Sequence, residues 1–215
     1  PVINKQGKLL GRITIDDVVD VIKDEADVSY RQLSGLEEDT FAKTSVATKS
    51  RAIWLGLNLI TAFAAAFVID IFRDTIAEVV TLAVLMPIVA SMGGVAATQT
   101  LTIMVRGLAL GQIERSNVLW LIKREALVGL GNGIIWAIVV SLVSAWWFQD
   151  YILAQIIAIA MVLNLFIAVL SGVSVPLILR FLKLDPGIGG SVIVTTITDI
   201  AGFVSFLGLA TIFLT

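Results

Sequence analysis

The chain has 215 residues, 58% of them hydrophobic and only 15% charged, with a mean hydropathy of +0.97 and a formal net charge of −2. A chain of that balance does not have water as its main solvent. With no cysteine and no histidine, it excludes disulfides, thiolate or imidazole metal sites, and Ser-His or Cys-His nucleophile pairs, while a hard-metal site of oxygen ligands stays open.

Residues Pro1 to Leu10 read as a turn, Asn4-Lys5-Gln6-Gly7-Lys8, between two short extended segments, Val2-Ile3 and Leu9-Leu10. The alternation of Gly11-Arg12-Ile13-Thr14-Ile15 predicts a strand, and Asp16-Asp17 opens a helix with Val18, Val19, Val21 and Ile22 on its apolar side. This is too little to form a domain alone. From Ala26 the chain is polar and mixed, with Glu37-Glu38-Asp39 as an acidic knot, and it predicts a connecting helix plus loop. Pro1 to Arg51 holds eight of the 15 Lys and Arg and nine of the 17 Asp and Glu, so a boundary is expected after Arg51. The N-terminus has no charged segment leading into an apolar one, and no signal peptide is expected. The opening Pro1-Val2, without an initiator Met, reads as a fragment of a longer chain.

Beyond Arg51 the charges delimit long uncharged runs: Ala52 to Ile69, Val79 to Val105, Ala126 to Gln149, Tyr151 to Leu179, and Pro186 to Thr215, the last broken only by Asp199. Each approaches or exceeds the roughly 20 apolar residues that a span requires. Lipid offers backbone groups no partners, and period-2 alternation is absent, so five transmembrane helices are predicted rather than a barrel. Pro87, Gly93-Gly94 and then Thr98, Gln99 and Thr100 predict a kink or break near the centre of the second span. Small residues and freed carbonyls there either let another helix approach closely, the favoured reading, or line a polar path. Gly129, Gly131, Asn132 and Gly133 in the third run, and Asn164, Gly172 and Pro176 in the fourth, predict close helix packing and a few intramembrane hydrogen bonds. Glu125, beside Lys123 and Arg124, is expected in a surface ion pair.

Lys and Arg cluster before the first run, between the second and third, and between the fourth and fifth. The positive-inside rule therefore puts the N-terminus in the cytoplasm and Thr215 outside, with Trp146, Trp147 and Tyr151 in an interfacial belt. The chain divides into a short strand-helix unit over 1–25, a cytoplasmic connecting helix and loop over 26–51, and a five-helix membrane domain over 52–215.

With a fifth helix from about Ile188 to Leu214, Asp199 lies about 16 Å from its start, near the bilayer midplane. A charge at that depth is costly and marks function by default. Every Lys and Arg beyond the first run's start lies at or past a run's edge, so no cationic partner is expected. Asp199 is protonated, ionised against water, or ionised around a cation, and its neighbours favour the last two. Thr195, Thr196 and Gly202 share its helical face with hydroxyls and space. The alternative for each threonine is a hydroxyl bonded back to its own helix.

The run Thr195-Thr196-Ile197-Thr198-Asp199-Ile200-Ala201-Gly202-Phe203, with Asp185-Pro186 before it and Pro87, Gly93-Gly94 and Gln99 earlier, resembles the MgtE family of magnesium channels. The likeness covers essentially the whole chain. Residues Gly11 to Ile22 resemble the end of the second CBS domain that precedes the family's connecting (plug) helix. The resemblance implies a homodimer in a bacterial inner membrane, with the pore on its axis and hydrated Mg²⁺ held at Asp199. Thr195, Thr196 and Gly202 would line that pore. Mg²⁺ gives up water reluctantly, which suits a wide site contacting the ion through its waters. Asp17, Asp20 and Glu25 resemble acidic positions that bind regulatory Mg²⁺, with Asp24 and Asp27 close by. Where the family commonly has Asn after the paired glycines, this chain has Val95. The N-terminal domain and most of the CBS pair are missing, so gating by Mg²⁺ or adenine nucleotides is not expected of this fragment.

Three functions follow: passive Mg²⁺ uptake, divalent-cation transport coupled to protons or sodium, or a membrane anchor for a regulatory domain. The first is favoured because the last leaves Asp199 unexplained. No enzymatic activity and no nucleic-acid partner are expected.

Overall fold

The structure is a computed structural model, described here over residues 1–22, 41–114, 116–184 and 189–214. Strands β1 (Val2–Ile3) and β2 (Leu9–Gly11) pair antiparallel. Their turn is held by Asn4, whose Oδ1 accepts from the Gln6 and Lys8 amides at 3.0 and 2.9 Å, with Gly7 at φ 79. The strand expected to run to Ile15 stops at Gly11, and α1 covers residues 15–22 within the described chain. A local motif overrides the alternation. Thr14 and Asp17 form the T-x-x-D arrangement of a capping box, in which Asp17 Oδ2 accepts from the Thr14 amide at 2.7 Å and its hydroxyl at 2.8 Å. Thr14 therefore starts a helix where its alternation suggested extended chain.

Those hydrogen bonds hold the Asp17 carboxyl below its ordinary pKa. A depressed folded-state pKa contributes stability above the unfolded value and loses it as pH falls through the folded one. Acidification below the usual carboxylate range is therefore expected to fray the start of α1, and Asp17→Ala to do so at neutral pH. Amide exchange at Thr14 reads both, and equal protection in the variant would refute the cap.

Five helices are long and apolar enough to cross a membrane: α2 (Thr44–Ile71), α4 (Thr81–Ala109), α5 (Val118–Phe148), α6 (Tyr151–Phe181) and α7 (Gly190–Leu214). The five-span, all-α fold is as expected. The ends differ, because helices continue past the apolar runs into charged flanks that lie beyond the hydrocarbon. Thus α2 passes unbroken through Arg51, and α5 begins eight residues before Ala126. A short helix α3 (Arg73–Glu78), with Arg73 paired to Asp70 at 2.6 Å, links α2 to α4.

Helix α6 is the centre of the bundle, packing on α5, α4 and α7, with α4 also against α7. Helix α2 rests chiefly on α7, and Ala65 is its one buried residue among those described. Large apolar side chains such as Leu82, Met161 and Phe206 fill the core, and small residues let the backbones approach. A Cβ on Gly129 would meet Val169 Cβ at 3.0 Å, and one on Gly133 the Val162 Cα at 3.2 Å, seating α5 on α6. A Cβ on Gly172 would lie 2.7 Å from the Ala97 carbonyl oxygen, seating α6 on α4. Gly131 meets nothing within 4 Å and takes no part in this packing.

Of the kink or break expected in the second span, the break is absent: α4 is one helix through Pro87 and Gly93-Gly94. Pro87 falls early in the helix and removes a single amide donor, and the neighbouring helices fill the space beside the glycines. Between α5 and α6 the chain turns over two residues. Gln149 takes the left-handed conformation at φ 54, and Asp150 caps α6 by accepting from the Ile152 and Leu153 amides at 2.9 and 3.0 Å. At the other end of α6, Arg180 Nη1 donates 3.0 Å to the Ile113 carbonyl, tying down the loop after α4.

Glu125 departs from expectation in one respect. Its pairing with Arg124 is present at 2.9 Å, but the carboxylate is buried, with 4% side-chain exposure against 50% for Arg124. Glu125 lies one turn before Gly129 on the face of α5 that packs on α6, so only its partner reaches the surface.

Candidate cation site

Asp199 is the tenth residue of α7, about 14 Å along a helix of about 37 Å. It is half-buried, and among the described residues it has neither an ion pair nor a hydrogen-bond partner. A carboxylate at that depth gains its stabilisation from water, a proton or a cation.

The threonines before it bond to their own helix. Thr195 Oγ1 donates to the Ser191 and Val192 carbonyls at 2.8 and 3.1 Å, Thr196 Oγ1 to Val192 at 2.6 Å, and Thr198 Oγ1 to Thr195 at 2.9 Å. Each hydroxyl spends its proton and keeps its lone pairs, so half-buried Thr195 and Thr196 present acceptor oxygens only. Such a surface is compatible with a cation or its waters and unsuited to an anion. Gly202 is buried, and a Cβ there would lie 2.9 Å from Asn164 Nδ2 and 3.2 Å from Val89 Cγ1, which places it in the packing of α7 on α6 and α4.

Helix α4 supplies the facing wall. A Cβ on Gly94 would come 3.7 Å from Thr195 Cγ2, and Gly202 meets Val89, so the two helices run antiparallel with Asp199 level with about Ser91. Ser91, Val95, Thr98 and Thr102 fall at helical spacing on one stripe, with Ser91, Val95 and Thr102 exposed and Thr98 half-exposed. Thr98 and Thr102 also donate to carbonyls of their own helix, at 2.9 and 2.8 Å. This stripe escaped the sequence reading, although its i, i+4, i+7, i+11 spacing was there to be found.

The N-terminal acidic positions fall only partly within the described residues. Asp17 is engaged in the α1 cap, Asp20 is exposed on the same helix, and Glu25, Asp24 and Asp27 lie outside the described residues. Among the described residues no cluster of three or more acidic side chains could hold a metal ion.

Five spans around an oxygen-bearing seam, with a mid-depth carboxylate unpaired among the described residues, define a multi-pass membrane protein suited to handling cations. The family model for MgtE, described as a divalent cation transporter, matches residues 86–209, which include α7 through Asp199 and most of α4. Relatives along the whole chain are each named magnesium transporter MgtE. That of Bacillus subtilis is 34% identical over 216 residues, that of Enterococcus faecalis 29% over 215, and that of Thermus thermophilus 26% over 221. All of this chain is covered in each case, and 48% of each relative, so the chain spans about half the length of the curated relatives it matches. The chain belongs to the MgtE family, whose members are transporters and not enzymes.

Proposed function

We propose that this chain is the pore-forming part of a magnesium channel of the bacterial inner membrane, in which hydrated Mg²⁺ passes Asp199 down its electrochemical gradient. The observation that carries this is a mid-span carboxylate with no cationic or hydrogen-bond partner among the described residues, beside hydroxyls whose protons are already spent. Ligands of that kind reach Mg²⁺ through its water shell without demanding its dehydration. The magnesium named for the relatives fits this chemistry.

The pore runs on the axis of a homodimer. One subunit supplies one carboxylate at that depth, and α2 leaves nearly its whole surface uncovered. Two copies would bring two carboxylates to one path, matching the charge of a divalent ion. The N-terminus is cytoplasmic on the distribution of Lys and Arg, and α1, which carries Asp17 and Asp20, belongs together with Glu25 further along the sequence to the regulatory side of the longer protein. A flux assay in liposomes, with Mg²⁺ against Ca²⁺ under an imposed potential, tests the channel reading. Flux that follows a proton or sodium gradient instead of the potential would establish the coupled-transporter alternative.

Val95 interrupts the hydroxyl stripe of α4 with a 53% exposed apolar side chain. An apolar position in a pore wall raises the cost of wetting. Val95→Asn is therefore expected to raise Mg²⁺ flux severalfold with the fold unchanged, and an unaltered rate would place Val95 off the ion path.

A further inference from the structure

Helices α4, α6 and α7 meet at Asn164, a wholly buried amide in the middle of α6. Its Nδ2 donates 2.7 Å to the carbonyl of Val89 on α4. The same amide fills a notch at Gly93 on α4, where a Cβ would run into Nδ2, and a second notch at Gly202 on α7, where a Cβ would lie 2.9 Å from it. One side chain is thus keyed into two helices at once, and Asp199 sits one turn away from the second notch.

We propose that Asn164 is a positioning residue for the cation site: its amide, locked between Gly93 and Gly202, fixes the height and rotation of α7 against α4 and so sets where Asp199 stands. This rests on Asp199 being the cation site. In lipid the apolar effect does not draw helices together, so shape at small residues and a few hydrogen bonds decide their relative placement. Simple filling of the junction does not account for the amide. Its Oδ1 is buried with no hydrogen-bond partner among the described residues, a desolvation cost that a leucine of similar size would avoid. Asn164→Leu keeps the volume, removes that cost and leaves the Val89 carbonyl within a continuous helix. It is therefore expected to fold while losing the lock.

The natural chain has no cysteine, so an introduced pair reports on the α4–α7 seam without background. Gly94→Cys with Thr195→Cys suits this, since a Cβ at Gly94 lies 3.7 Å from Thr195 Cγ2, a position that the sulfur of a cysteine at 195 can take. Disulfide formation is followed in Mg²⁺-free liposomes with and without Asn164→Leu, and Mg²⁺ flux is measured in the cysteine-free counterparts. Asn164→Leu is expected to slow crosslinking and lower flux by about fivefold or more, the loss of one buried hydrogen bond. Unchanged crosslinking overturns the proposal.

If Asn164→Leu fails to fold, Gly202→Ala serves. It is expected to slow crosslinking by pushing on the amide that sets the placement of α7 against α4, and an unchanged rate in that variant also overturns the proposal. Because crosslinking is read without Mg²⁺, the readouts separate. Slowed crosslinking together with undiminished flux in Asp199→Asn would remove Asp199 as the cation site and with it the transport role of Asn164, leaving the helix contact itself intact.

Discussion

Asp199→Asn is expected to lower Mg²⁺ flux into liposomes by about a hundredfold while leaving the protein folded, the upper range for removing a group that orients a metal's bound shell. The substitution keeps shape and removes charge, so it separates electrostatic attraction from packing. Folding should survive because the carboxylate has no hydrogen-bond partner among the described residues to lose, and an uncharged amide is cheaper at that depth. Thermal unfolding in detergent checks the second half. Flux within twofold of the parent would mean that the ion does not pass Asp199 and would remove the central support for the channel reading.

Gly172→Ala is expected to cost about 2–3 kcal/mol of stability, the upper part of the range for overpacking. An added methyl would face the Ala97 carbonyl oxygen at 2.7 Å, Thr100 Cβ at 2.8 Å and the Leu101 amide nitrogen at 3.1 Å. Two of the three are backbone atoms of α4 that cannot swing aside, so α4 and α6 must separate. The paired control is Gly131→Ala on α5. Its methyl meets nothing within 4 Å, and alanine is the better helix former by about 1 kcal/mol in water. Unfolding midpoints in detergent should therefore fall for the first and hold or rise for the second. Equal midpoints would mean that the α4–α6 contact does not limit stability.

The spans were legible because their signal is thermodynamic and local: long uncharged runs in a solvent that tolerates only helices. The position of Asp199 was legible for the same reason, since one carboxylate in an apolar run needs no knowledge of its neighbours. What failed depended on partners. The extended pattern of Gly11 to Ile15 gave way to a cap that Thr14 and Asp17 make three residues apart. The glycines of α4 read as a place for close helix packing or as the lining of a polar path, and which residue packs there is decided by Asn164, 71 positions after Gly93. Glu125 looked like a surface residue because its sequence neighbours are basic, yet its face of the helix is set by the packing of Gly129 on α6. Helix ends were misplaced because charge marks the edge of the hydrocarbon, whereas the backbone continues its hydrogen bonding into water.

The two-residue corner at Gln149 and Asp150 bears on how the bundle is put together. Helices α5 and α6 are consecutive, strongly apolar, and already matched along Gly129 and Gly133, and the corner between them is closed by its own left-handed residue and its own cap. Such a pair has almost no loop entropy to lose and no need of any other helix to find its register. It presents a ready-made seat for α4 and α7, so the register of α5 on α6 does not wait on either of them.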